Sequence, residues 1–188
     1  MQLSLSRHEK SVINEWRKFG VLRDIENHCL DQANGAILIT CSDADQFAEV
    51  FQHQCGMQTV HRPHPRIHVF GWHGGPLACA PCSPVNKRKH AHSVFLDQIS
   101  DARALKDIHA VASRAHAPCG AARMNHIEIE QEMALHMRAK QQIKTLNQGI
   151  VVAPFFDVDY GDGRKRTYFV SREHWEAWAE QNGIPSIA

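Results

Sequence analysis

The sequence predicts an α/β fold: a mostly parallel central sheet flanked by helices, with an antiparallel strand at one edge. Three observations carry this. Ala36-Ile37-Leu38-Ile39-Thr40-Cys41 and Ile108-His109-Ala110-Val111-Ala112 are short, largely apolar runs, the pattern of strands covered on both faces. Segments of helical character separate them. Residues 150–158 and 167–170 flank the turn residues Gly161-Asp162-Gly163, so they read as an antiparallel hairpin.

The remaining elements follow in order. Val12, Trp16 and Phe19 recur at helical spacing, and Gly20 closes that helix. Leu22, Ile25 and Cys29 predict a second helix ending near Asn34-Gly35. Residues 46–55 form a helix with Phe47, Val50 and Phe51 on one face. Residues 56–93 are the least regular part, with five of the eight prolines, six histidines and the Gly74-Gly75 pair around one strand at 67–70. An ordered loop of that length points to function. Residues 94–107 read as helix, and Gly120-Ala121-Ala122 opens a long helix through Leu146. Ser171 caps a last helix carrying Trp175 and Trp178, stopped by Gly183 and Pro185.

A length of 188 residues predicts one domain, with a helical arm over 1–34, the core over 35–170 and a C-terminal helix over 171–188. Lys+Arg 21 against Asp+Glu 20 leaves a net charge of +1, which argues against a dedicated binder of nucleic acid or membrane surface. No apolar run approaches the roughly 20 residues that span a bilayer. The start, Met1 to His8, has no apolar signal core, so the expected compartment is the cytoplasm. There, 14 histidines and six cysteines read as metal ligands and thiols sooner than as disulfides.

Two segments carry candidate chemistry. Thr40-Cys41-Ser42-Asp43-Ala44-Asp45 follows one buried strand, and Ala115-His116-Ala117-Pro118-Cys119-Gly120 follows another. Open α/β sheets place ligands at the carboxyl ends of their strands. If the two strands are neighbours, Cys41, His116 and Cys119 converge as three zinc ligands, leaving a fourth position for water or a carboxylate. Cys119 would begin a helix, where the dipole favours a thiolate.

On these motifs the chain resembles the beta-class carbonic anhydrases over roughly residues 33–165. Cys41-Ser42-Asp43 matches the start of that family's Cys-x-Asp-x-Arg, and His116-Ala117-Pro118-Cys119-Gly120 matches its His-x-x-Cys-Gly. The long helix and Phe156-Asp157-Val158-Asp159-Tyr160-Gly161 also look like its downstream region. The resemblance implies zinc on Cys41, His116 and Cys119, with Asp43 orienting the reactive water or ligating the metal. It further implies reversible hydration of carbon dioxide to bicarbonate, in a homodimer or dimer of dimers. Asp45 stands where the motif has its arginine, and Phe70-Gly71-Trp72-His73-Gly74-Gly75 stands near the family's Arg-Asn-Ala-Gly-Asn-like stretch. Arg66, Arg114 or Arg123 can supply the missing cation. Otherwise Asp43 or Asp45 fills the fourth site, giving a non-catalytic zinc protein. A related electrophile such as carbonyl sulfide is a further substrate class. His73 is the best-placed histidine to shuttle protons or to substitute as a ligand, against the plainer reading of a surface or capping histidine.

Other residues have plainer expectations. Cys79-Ala80-Pro81-Cys82 reads as two loop thiols, with a second metal knuckle through His90 or His92 as the sharper alternative. The basic stretch from Asn86 to His92 reads as a solvated loop. His61, His64 and His68 are expected to face solvent, and His126 and His136 to sit at the surface or an interface. Cys29 and Cys55 read as small packing residues. Trp16, Trp175 and Trp178 read as packing anchors of the terminal helices.

Overall fold

The computed structural model describes residues 3–25, 34–59 and 64–185. Cys29 and His61 lie outside them. In chain order the elements are α1 (Arg7–Phe19), β1 (Leu22–Asp24), β2 (Ala36–Cys41), α2 (Phe47–Thr59), β3 (Ile67–Trp72), a 3-10 helix (Gly75–Cys79), α3 (Ala91–Lys106), β4 (Ala110–Ala117), α4 (Gly120–Met124), α5 (Ile129–Leu146), β5 (Val151–Asp159), β6 (Lys165–Val170) and α6 (Arg172–Gln181). The strands form one sheet in the order β1-β6-β5-β4-β2-β3. Four of them, β3, β2, β4 and β5, run parallel, and β6 returns antiparallel to β5. The expected α/β architecture is therefore present.

Local chemistry fixes the ends of the elements. Ser6 and Glu9 cap α1 reciprocally, the Ser6 N–H donating to Glu9 Oε2 at 2.6 Å and the Glu9 N–H to Ser6 Oγ at 3.1 Å. Every residue of β2 is buried, as expected of a central strand between helical layers. One layer packs Ile37, Ile39 and Cys41 against Leu77, Leu96, Ile99 and Ile143. On another part of the sheet, Leu38, Ala112 and Phe155 pack with Val50. At the hairpin end Trp16 meets Phe156, Trp175 and Trp178 edge to face, with ring centroids 5.7–5.9 Å apart. The three tryptophans thus anchor both terminal helices within one chain.

Several expectations are corrected. Leu22–Asp24 is a strand rather than the start of a second helix, because it pairs antiparallel with β6 and covers the edge that strand would otherwise expose. β4 runs to Ala117, so His116 lies within the strand rather than after it. The long helix is two helices: Asn125 closes α4, with its side chain donating to the Ala121 carbonyl at 2.7 Å, and His126 takes a positive φ of 54° before α5 begins. His68 is half-buried, with its ring against Phe70.

His136 departs furthest from expectation. It is wholly buried on α5, with Nε2 facing Ser113 Oγ at 2.9 Å and the Ser113 carbonyl at 3.2 Å. Burial drives its pKa down to about 3, so the ring is neutral in the folded protein. Between pH about 6.5 and 3 the unfolded chain binds a proton here that the folded chain refuses, so acidification removes up to about 1.4 kcal/mol of stability per pH unit. The stability difference between the native protein and H136Q should therefore shift toward the variant as pH falls from 7 to 5, measured by urea unfolding. A difference independent of pH contradicts a buried neutral ring.

Candidate metal centre

Cys41 closes β2, and His116 is the penultimate residue of β4. These strands are parallel neighbours with Thr40 beside Arg114, so both residues reach the same carboxyl-terminal end of the sheet. Cys119 follows at the N-cap of α4. The Sγ atoms of Cys41 and Cys119 and a His116 ring nitrogen lie within 4.8 Å of one another, and all three residues are buried. A tetrahedral ion with bonds of about 2.0–2.3 Å needs donors about 3.5–3.8 Å apart, so small side-chain adjustments suffice. Among the described residues this is the one His, Cys, Asp and Glu group of this kind.

The donors are short of partners. Neither ring nitrogen of His116 has a nitrogen or oxygen partner among the described residues, although the ring is buried, and its polar neighbour is the Cys41 sulfur. A buried imidazole left in this state is costly, and a metal is one partner that relieves it. The two sulfurs are hydrogen-bonded to each other. The hydrogen bond from Cys119, opposed by burial and helped by His116, carries Cys41 down to about 4, while Cys119 rises. Burial opposes a charge on His116, but the neighbouring Cys41 outweighs it, with Glu132 and Asp43 adding, and its pKa rises. Cys119 does stand at a helix start, and the Ala122 backbone hydrogen bond there favours its thiolate as expected, but the Cys41 sulfur and burial act against it.

The Gly74-Gly75 pair explains part of that preference. The Gly74 backbone contributes a hydrogen bond that favours the Cys41 thiolate. Gly75 has φ +53°, and a Cβ there would lie 2.6 Å from the Cys41 nitrogen and 2.8 Å from the Thr40 carbonyl carbon. Only glycine lets this loop come so close to the end of β2. The Trp72 indole N–H donates to the Gly75 carbonyl, and its ring stacks on Phe95 at 4.5 Å, pinning the loop to α3.

Two residues before His116, Arg114 is buried and donates to both carboxylate oxygens of Asp157, at 3.0 and 2.6 Å. It also reaches Thr167 Oγ1 at 2.9 Å and faces His53 Nδ1 at 3.1 Å, which ties α2, β5 and β6 beneath the site. Burial would raise Asp157, but the Arg114 charge and hydrogen bonds, with that of Thr167, hold it below the usual carboxylate range. Desolvation beside Arg114 lowers His53.

The other candidates lie outside the three-donor group. Asp43 is half-buried and opens a turn, its Oδ1 accepting the Asp45 N–H at 2.9 Å. Asp45 is exposed, and its carbonyl accepts from Lys165 Nζ at 3.0 Å. His73 is exposed in the turn after β3. Neither aspartate nor His73 belongs to the three-donor group. Arg66 donates to the carbonyls of Asn34 and Lys106, and Arg123 to the Ser4 carbonyl. Cys79 is buried and Cys82 exposed, and neither they nor His90 and His92 form a metal group among the described residues.

Sequence reasoning missed Glu132. It is buried on α5 beside the cluster, one oxygen lacks a partner among the described residues, and burial raises its pKa to about 8. The available signal was its place between Ile129, Met133 and His136 on the buried stripe of the helix. Compared with known families and curated proteins, the sequence matches no family model and no curated relative.

Zinc-replete protein should carry about one ion per chain. C41S, C119S and H116A should each lose it, whereas C79S and C82S retain it, read as zinc content after gel filtration. G75A should also lower zinc retention, because its Cβ collides with the Cys41 backbone.

Proposed function

We propose that this chain is a zinc protein akin to the beta-class carbonic anhydrases, catalysing the reversible hydration of carbon dioxide. The observation that supports this reading best is the convergence of Cys41, His116 and Cys119 from the ends of two neighbouring parallel strands. Two thiols and an imidazole are a donor set suited to zinc, with one position open. A zinc ion held there supplies Lewis acidity that brings the pKa of water toward neutrality.

The chain's own residues would do the rest. Asp43 beside the cluster accepts a hydrogen bond from the reacting water and so orients it. The Asp45 N–H restrains the Asp43 carboxylate, a task the motif arginine performs in the family pattern. Hydration releases one proton per bicarbonate formed, and the exposed imidazole of His73 passes it to solvent. Assembly as a homodimer or dimer of dimers belongs to the same reading.

A second reading has a specific observation in its favour. Arg66, Arg114 and Arg123 all donate elsewhere, to Asn34 and Lys106, to Asp157 and Thr167, and to Ser4. Asp43 then lacks a full cationic restraint and can close the fourth position, giving a zinc protein without this activity. Oxygen-isotope exchange between carbon dioxide and water decides between them. The hydratase reading expects exchange above buffer on zinc-replete protein over pH about 7–9, falling at least about tenfold in D43A. No exchange in the native protein, with its appearance in D43A, supports the closed site instead.

A further inference from the structure

A cavity of about 390 Å³ lies between the start of α1, α4 and the first turn of α5, and its lining includes Leu5, Glu9, Cys119, Arg123, His126 and Glu132. It therefore has a candidate metal ligand, Cys119, in its wall. Glu132 is the deepest polar group there at 3% exposure, and its Oε1 has no hydrogen-bond partner among the described residues. The His116 backbone contributes a hydrogen bond to the same carboxylate, which fixes it beside the strand that carries the imidazole. At the outer side, Arg123 donates to the Ser4 carbonyl at 3.0 Å and pairs with Glu9 at 3.5 Å, holding the start of α1 against α4.

An anchored, buried carboxylate with a spare oxygen is an acceptor awaiting a donor. We propose that Glu132 is a positioning residue of the metal centre, accepting a hydrogen bond from water in this cavity, and that the cavity is the route by which small neutral reactants reach the centre. The inference rests on the reading of Cys41, His116 and Cys119 as metal ligands. It adds a second acceptor beside the centre, and it gives the site a preference. The acceptor oxygens of Glu9, Glu128 and Glu132 line the space against one paired arginine and one histidine, so an uncharged molecule that can donate a hydrogen bond enters more readily than an anion. The volume suits a reactant of a few heavy atoms with accompanying water.

The test uses the full chain with cobalt(II) in place of zinc, and azide as an anionic probe followed by the visible cobalt spectrum. E132Q should keep its metal and bind azide about tenfold more tightly, because an amide N–H can donate to the anion where the unpartnered Glu132 oxygen offers it only lone pairs. E132D should restore weak binding. E128Q, an exposed charge on the same cavity, should change the Kd by less than about threefold, because solvent screens it. R123E, a partly exposed change at the mouth that leaves the buried carboxylate in place, should slow azide association, which keeps the route testable if E132Q does not fold. Unchanged azide affinity in E132Q with metal retained overturns this proposal alone. Loss of metal in E132Q makes Glu132 a ligand and also overturns it. Failure of the native protein to bind cobalt or zinc removes the metal-centre reading itself.

Discussion

The structure depends on the parallel adjacency of β2 and β4. Hydrogen bonding between them puts Cys41 and His116 at one end of the sheet, and the short path to α4 brings Cys119 to the same point. That adjacency creates a problem as well as a site. Two thiols and an imidazole are withdrawn from water, and the imidazole has no nitrogen or oxygen partner among the described residues, only the neighbouring Cys41 sulfur. Buried polar groups are normally satisfied, so this cluster is unfinished unless something coordinates it. A soft divalent cation matches the ligand types and takes the charge that the cluster is already biased to hold on Cys41.

The surroundings make sense as supports for that point. Arg114 and Asp157 form a buried, doubly hydrogen-bonded pair two residues before His116, stiffening the strand end that carries the imidazole. Such a pair is a weak source of net stability, since desolvation offsets much of the attraction, but a strong constraint on geometry. Gly75 brings a loop backbone against Cys41 where any side chain would intrude. Trp72, stacked on Phe95, holds that loop in place. The Pro- and His-rich segment thus acts on the centre through its backbone, while its histidines at 73, 90 and 92 stay outside the donor group.

Much of this was legible in the sequence because the governing patterns are local. The run at Ala36–Cys41 could only be a covered strand, and Gly161-Asp162-Gly163 could only turn a hairpin. The three donors were legible because each lies just where a strand ends or a helix begins. The rest depended on long-range partners. Leu22–Asp24 is a strand only because β6 is beside it. The break between α4 and α5 carries no proline or glycine, and Asn125 closes the first helix through its own side chain. β4 extends through Ser113, Arg114 and His116, polar residues that look exposed until Asp157 and His136 are seen to satisfy the first two. Glu132 sat among Glu128 and Glu130, and only the buried face of α5 separates it from those solvated neighbours.

The most direct test of the central claim is the X-ray absorption spectrum of zinc-loaded protein at the zinc edge. The account predicts a four-coordinate ion with two sulfurs at about 2.3 Å, one imidazole nitrogen at about 2.0 Å and one lighter donor. A first shell of nitrogen and oxygen alone, or a fully folded protein that takes up no zinc, would contradict it.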